Sequence, residues 1–338
     1  MYVAENTIDD LMRRVLTKLA KRPFNVEASR GKSSEVVGAL LCLKNPRARL
    51  SRTETRGRPF SALGEFLWYL SKTHSLDFIS YYIPQYKDES SDGKTIYGGY
   101  GPRLFKMRGK HNQVDNVIKL LKKKNTSRRA VIQLFNAEDI SQSRKEPKDI
   151  PCTCTLQFIV RSNRLHMFTS MRSNDAYKGL PHDVFAFTML QEIIANSLEV
   201  DLGEYIHAVG SLHLYEDKLD ETKTFLSEGW QATNKPMPPM PTGDQNAAIR
   251  AVLKAESILR KGKALKVESL KLDPYWSDLV RLLQIFSLLK GKRFSSAAQK
   301  KVKKIRNEMN SPAYHPYIDK RLSTKLAAQK KKPKRKQE

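Results

Sequence analysis

The chain has 338 residues, 61 of them Lys or Arg and 35 Asp or Glu, for a formal net charge of +26 at pH 7. With 40% hydrophobic and 9% aromatic residues it has material for a sizeable core, which excludes a wholly disordered chain. No apolar run is long enough to cross a bilayer, the start MYVAENTIDD lacks the apolar segment of a secretory signal, and three cysteines make no disulfide framework, so a reduced, cytoplasmic protein is expected.

Over residues 7–20, Ile8, Leu11, Met12, Val15 and Leu19 recur at helical spacing behind Asp9 and Asp10, predicting an amphipathic helix. Residues 36–43 form an apolar run suited to a buried strand. Residues 60–70, FSALGEFLWYL, are almost wholly apolar around one carboxylate, Glu65. Residues 113–122 read as an amphipathic helix and 129–135 as a strand. Residues 153–160 and 165–170 form a predicted hairpin, 184–198 a long apolar helix and 205–215 a further strand. This alternation predicts an α/β or α+β domain over residues 1–234. KPMPPMP, within 235–243, cannot continue a regular element and reads as a linker. Helical periodicity resumes at 244–259, 277–289 and 297–309, giving a basic helical extension over 244–325. Residues 326–338 have no apolar anchor and are expected to be disordered. From Lys290 onward there are 17 basic and three acidic residues, so about +14 of the charge lies there. Such a tail suggests nucleic-acid contact, and KKKPKRK resembles a nuclear-import signal.

The chemistry-bearing segments are Pro151-Cys152-Thr153-Cys154-Thr155-Leu156-Gln157-Phe158, Met171-Arg172-Ser173-Asn174-Asp175, Gly179-Leu180-Pro181-His182-Asp183 and Val209-Gly210-Ser211-Leu212-His213-Leu214-Tyr215. A cysteine at a strand start becomes a nucleophile where cations stabilise its thiolate. Glu65 within an apolar run is costly unless partnered or functional. His213 and Tyr215 alternate on a strand and share a face. Upstream stand Gly64-Glu65-Phe66-Leu67-Trp68, Tyr97-Gly98 and Ser127-Arg128-Arg129.

In this order the motifs resemble those of the thymidylate synthase family, over residues 28–230. The resemblance implies that family's mixed sheet flanked by helices, a homodimer, methylenetetrahydrofolate as one-carbon donor, and no metal. It implies that Cys152 adds to C6 of a pyrimidine nucleotide and activates C5. The monophosphate falls to Arg30, Arg172 and Ser173 of one subunit and to Arg128 and Arg129 of the partner subunit, because guanidinium groups bind phosphate with paired donors. The same arginines are expected to lower the Cys152 pKa. Glu65 takes proton transfer and water, His213 and Tyr215 the 3′-hydroxyl, Gln157 and Tyr97 further substrate contacts, and Asp175 and Gly179 the folate. At Ile83 and Tyr86 the chain departs from tryptophans that the family carries near the folate.

One departure bears on the substrate. Asp183 stands where the family reads uracil with an asparagine. Cytosine presents a donor at N4 and an acceptor at N3, which a protonated carboxyl can meet. Asp183 and the Cys-Thr-x-Thr pattern resemble the deoxycytidylate hydroxymethyltransferase branch. The expected reaction converts dCMP to 5-hydroxymethyl-dCMP, with water capturing the methylene intermediate. Alternatives are thymidylate synthesis from dUMP, a relative acting on CMP, and an inactive family member that binds nucleic acid.

Overall fold

A computed structural model describes every residue except 29, 142–146, 230–235, 291–293 and 331–338. The predicted disorder of the last residues and the KKKPKRK run fall mainly outside the described residues. The chain forms two compact units, Met1–Gln245 and Asn246–Glu338.

In the first unit, β1 (Tyr2–Glu5) leads into α1 (Ile8–Ala20), whose N-cap Thr7 accepts the Asp10 backbone N–H at 3.2 Å. Six apolar α1 side chains buried at helical spacing fix it against the sheet. β2 (Val26–Ala28) and β3 (Gly31–Leu43) follow, then α2 (Pro59–Leu70), with Pro59 in its first turn. α3 (Leu76–Tyr82), α4 (Tyr86–Glu89), α5 (Tyr100–Phe105) and α6 (Gln113–Lys123) lead to β4 (Val131–Gln133). β5 (Thr153–Arg161) and β6 (Arg164–Asp175) form the predicted hairpin, with Ser162 and Asn163 at φ of 48° and 57° in the turn. The apolar α7 (Gly179–Leu198) crosses back to β7 (Asp201–Tyr215), and α8 (Leu219–Ser227) follows. The sheet runs β1-β3-β7-β6-β5-β4, with β2 beside β3. β6 and β7 are parallel, as are β1 and β3, and the other neighbours are antiparallel. The mixed α/β architecture is thus the expected one.

Three adjacent strands change phase along one line. Tyr205, His207 and Val209 point into the core on β7, but beyond Gly210 the inward residues are Leu212 and Leu214. β6 switches across Arg172, from Met171 to Asn174, and β3 across Gly38, whose φ is +70°. A Cβ on Gly210 would meet the Arg172 carbonyl oxygen at 2.8 Å, so the close approach of β6 and β7 needs glycine there. This line of irregularities re-aims the strand ends toward the loop that carries Cys152.

The proline-rich stretch is not a free linker. Met237 and Met240 are buried, the Met237 N–H donates to Arg47 O at 2.9 Å, and the Met240 N–H donates to Glu192 Oε1 at 3.0 Å. Prolines remove donors but leave these two methionines to anchor the strap.

The second unit holds α9 (Asn246–Arg260), α10 (Pro274–Lys290), α11 (Ser296–Asn307) and α12 (His315–Lys330). α10 is buried along most of its length. Its Asp278 accepts the backbone N–H groups of Asn310 at 2.9 Å and Ser311 at 2.8 Å. α12 carries helix beyond residue 325, where disorder was expected. α11 buries Val302 and Ile305 and exposes Lys300, Lys301, Lys303 and Lys304.

Candidate active site

Cys152 sits one residue before β5, on a loop held from two sides. Arg172 donates from Nε to Pro151 O at 3.0 Å and from Nη2 to Ile150 O at 2.9 Å, and its backbone N–H donates to Cys152 O at 2.8 Å. On the other side, the Tyr100 hydroxyl accepts from the Thr153 N–H at 3.1 Å and from its Oγ1 at 2.9 Å. The predicted lowering of the thiol pKa is not what the free protein has. Burial pushes Cys152 up to about 11; Arg172 pulls it down, Asp183 and Asp149 push it up, and Arg30 pulls it down. Desolvation and two carboxylates outweigh two arginines, so the resting thiol is protonated. Asp149, which sequence reasoning missed, is itself raised to about 6 by burial and by Glu89.

Glu65 lies on the inward side of α2, 6% exposed. The Tyr86 hydroxyl donates to Oε1 at 2.6 Å and the Tyr69 hydroxyl at 3.3 Å. His182 Nδ1 stands 3.2 Å from Oε2, which lacks an aligned hydrogen bond within the protein. Burial works to raise the Glu65 pKa, but His182, Tyr86 and Tyr69 outweigh it and hold the carboxyl below its usual range. Neither tyrosine nor His182 was singled out as a Glu65 partner from sequence. Tyr86 marks one of the two departures from tryptophan, which was the only signal available.

Asp183, on the first turns of α7, accepts from Asn174 Nδ2 at 2.7 Å. Burial first, then the Glu65 charge, raises its pKa to about 8, against the Asn174 hydrogen bond. At neutral pH the carboxyl is mainly the neutral acid, with one donor and one acceptor face. Gly179 keeps this contact open, since a Cβ there would stand 3.1 Å from Asn174 Nδ2.

The remaining predicted residues divide. Arg30 pairs with Glu89, and its charge works against the burial that raises the Tyr215 phenol. The His213 ring stands edge-on to Tyr215 at 4.9 Å, and Ser173 pairs with Ser211 across β6 and β7. Asp175 Oδ1 accepts the N–H groups of Tyr177 at 2.8 Å and Lys178 at 2.9 Å, which turns the chain into α7. Tyr97 is drawn elsewhere: its hydroxyl donates to Asp139 Oδ1 at 2.8 Å, inside a buried pair of Asp139 with Arg103. Gln157 lies five residues along β5 from Cys152, roughly 16 Å away, and its Nε2 donates to Arg128 O at 2.9 Å. Arg128 and Arg129 are exposed at that far end of the sheet, so one chain does not bring them to Cys152. Among the described residues no cluster of three or more His, Cys, Asp or Glu could hold a metal ion, and no helix is long and apolar enough to cross a membrane.

The cysteine loop clamped by Arg172, with Asp183 acting on the Cys152 thiol and Glu65 acting on Asp183, makes these residues one candidate catalytic site. Residues 50–256 match the thymidylate synthase family model, and the chain belongs to that family. It is 27% identical over 225 residues to the deoxyuridylate hydroxymethyltransferase of Delftia phage PhiW-14, covering 62% of each chain. It is 29% identical over 170 residues to the protein of the same name from Pseudomonas phage M6, covering 50% of this chain and 48% of that one. The chain therefore spans about half to three fifths of the length of these relatives. The crystal structure of thymidylate synthase from T4 phage matches with a TM-score of 0.54 at 20% identity, over 65% of this chain and 81% of that one, a likeness of fold.

Enzymes of this family use methylenetetrahydrofolate as one-carbon donor, and the residues fit such a group. Glu65 Oε2 is a buried oxygen left without an aligned partner, no described residue claims Asp175 Oδ2, and Gly179 offers bare backbone beside Asp183.

Proposed function

We propose that the chain is a pyrimidine-nucleotide C5 hydroxymethyltransferase that converts dCMP to 5-hydroxymethyl-dCMP. The observation that carries this reading is Asp183, an acid kept largely neutral near pH 7 where the family reads its base with an amide. With Asn174 donating to Oδ2, the neutral carboxyl is set to donate from Oδ1 to N3 of cytosine and to accept from N4 at Oδ2. The names of the phage relatives support water as the final acceptor, and they also favour a second reading with dUMP as substrate.

Bound methylenetetrahydrofolate supplies the one-carbon unit, held by Asp175 and the backbone at Gly179. Arg172 and Arg30 bind the nucleotide phosphate, with Ser173; His213 and Tyr215 hold the sugar. Cys152 would give its proton to solvent water as its sulfur bonds to C6, and electron density moves to C5. C5 would then bond to the one-carbon unit as that carbon's bond to the folate nitrogen breaks, and the C5 hydrogen would leave as a proton to water. Glu65 stays ionised, and with Tyr86 it orients the water whose oxygen bonds to the methylene carbon on C5; the water's proton passes to Glu65. Release of Cys152 from C6 restores the ring. Arg128 and Arg129 of the partner subunit complete the phosphate site in a homodimer. The exposed lysines of α11 serve nucleic-acid contact.

Incubation with methylenetetrahydrofolate and either dCMP or dUMP, read by mass spectrometry, tests the assignment. Hydroxymethylated dCMP, lost in Cys152→Ser, is expected. Hydroxymethylated dUMP alone moves the assignment to the second reading, and a methylated product with dihydrofolate absorbance overturns both.

A further inference from the structure

A carboxylic acid does not choose between bases by itself. Either oxygen can carry the proton, so a neutral Asp183 meets cytosine with its acceptor N3 and donor N4, and equally uracil with its donor N3 and acceptor O4. Base choice needs a group that tells the two oxygens apart. Asn174 does so by donating to Oδ2 alone, at 2.7 Å. That contact makes Oδ2 the accepting oxygen and leaves Oδ1 to carry the proton.

Behind Asn174 runs a buried chain of polar groups. His207 Nε2 stands 3.2 Å from Asn174 Oδ1, and the Tyr205 hydroxyl lies 2.7 Å from His207 Nδ1. Tyr205 and His207 are each 1% exposed and Asn174 4%, on inward positions of β7 and β6. Burial drives the His207 pKa down to about 3, so the ring is neutral and has one donor and one acceptor nitrogen. Only one assignment satisfies every contact with the amide as it stands. Tyr205 donates to Nδ1, Nε2–H donates to Asn174 Oδ1, and the amide nitrogen is left facing Asp183. The reverse direction needs the amide turned over and Asp183 donating to it, which exchanges the roles of the two carboxyl oxygens.

We propose that Tyr205, His207 and Asn174 form a directional hydrogen-bond relay that polarises Asp183 and so sets which pyrimidine the site accepts. Asn174 touches the reading residue; His207 and Tyr205 are positioning residues that act through it. The proposal rests on Asp183 being the base-reading residue, and it holds whichever base is preferred.

Calorimetric Kd values for dCMP and dUMP, measured without folate on the full chain, test it, with melting curves as the check on folding. Tyr205→Phe removes one hydroxyl and leaves His207 free to adopt either tautomer. His207→Leu removes both contacts. In each, the ratio of the two Kd values is expected to fall toward parity by roughly tenfold, with the tighter ligand losing most. His207→Gln, whose amide nitrogen reaches about as far as Nε2, is expected to keep the ratio. An unchanged ratio in folded Tyr205→Phe, or a wild type that does not discriminate, overturns the relay; loss of the ratio in His207→Gln overturns the role given to Nε2. A wild-type preference for dUMP that collapses in Tyr205→Phe overturns the dCMP assignment and supports the relay.

Discussion

Cys152 and Asp183 are both held in their protonated forms, and for the same reason: each is half-buried, shielded from water, and acted on by nearby carboxylates. The two are linked, because an ionised Asp183 pushes the thiol higher still. Asp183 also has a consequence for stability. Its folded pKa, about 8, lies above the ordinary 3.8. Between those values the folded chain keeps a proton that the unfolded chain has released, so stability falls as pH rises through that window and levels off above it. Thermal melts should therefore give Asp183→Asn a higher Tm than wild type, with a gain larger at pH 8 than at pH 5. A gain independent of pH would mean that Asp183 ionises normally. The sequence made Glu65 and Asp183 visible because a carboxylate inside an apolar run and an acid in place of an amide both break a pattern. His207 breaks none: an inward position on an alternating strand looks the same with histidine as with any core residue. Tyr69 was equally silent, and Tyr86 showed only as a departure from the family's tryptophan, since only the folded α2 and α4 bring their hydroxyls onto Glu65.

Among the elements, α2 positions Glu65 most directly, and it does so around a glycine. Gly64 sits mid-helix, where alanine would gain up to about 1 kcal/mol in helix propensity. An ideal Cβ there would stand 2.1 Å from the Tyr82 ring of α3, well inside contact. Overpacking of that kind costs about 1–3 kcal/mol, so it outweighs propensity. Gly64→Ala should lower the Tm and displace Glu65 from Tyr86; a variant as stable and as active as wild type would refute this packing. Helices with strong periodicity were legible to within a residue or so, as α1 (Ile8–Ala20) was against 7–20. The strand expected at 129–135 shrinks to Val131–Gln133 because the backbone at Arg129 turns onto Ser127 Oγ. β6 runs further than predicted because its alternation changes phase at Arg172, which a fixed period of two misses, and β7 starts four residues before the predicted 205. β1, whose apolar residues are few, could be recognised only from its pairing with β3.

At the scale of the whole molecule, two surfaces of the first unit were hidden from sequence reasoning. One is the strap that ends it. Buried Glu192 on α7 pairs with Arg47 and Arg49 and accepts the Met240 N–H, and these contacts hold its pKa down although burial works to raise it. Glu192→Gln leaves a buried guanidinium without its counter-charge, a change that costs about 3–5 kcal/mol. It should release the strap to proteolysis near Met240, and an unaltered digestion pattern would refute the anchoring role.

The other surface is the open face of the sheet. Val37 is 80% exposed, Tyr2 65%, Val131 43% and Leu40 37%, an apolar set that faces away from the helices. Arg128, Arg129 and Gln157 share that side of the molecule, at the end remote from Cys152. A second copy packed isologously on this face would bury the apolar residues and bring the partner's arginines toward the Cys152 loop. Two inactive chains then suffice for a test. Cys152→Ser keeps the arginines, and Arg128→Ala/Arg129→Ala keeps the nucleophile. In a mixed dimer one of the two sites joins an intact cysteine to intact arginines. Random mixing should restore roughly a quarter of wild-type activity, read as hydroxymethylated product, while either variant alone stays inactive. Mixed dimers seen by native mass spectrometry without that activity would place the arginines outside the site, and a monomer at working concentration would remove the shared site altogether.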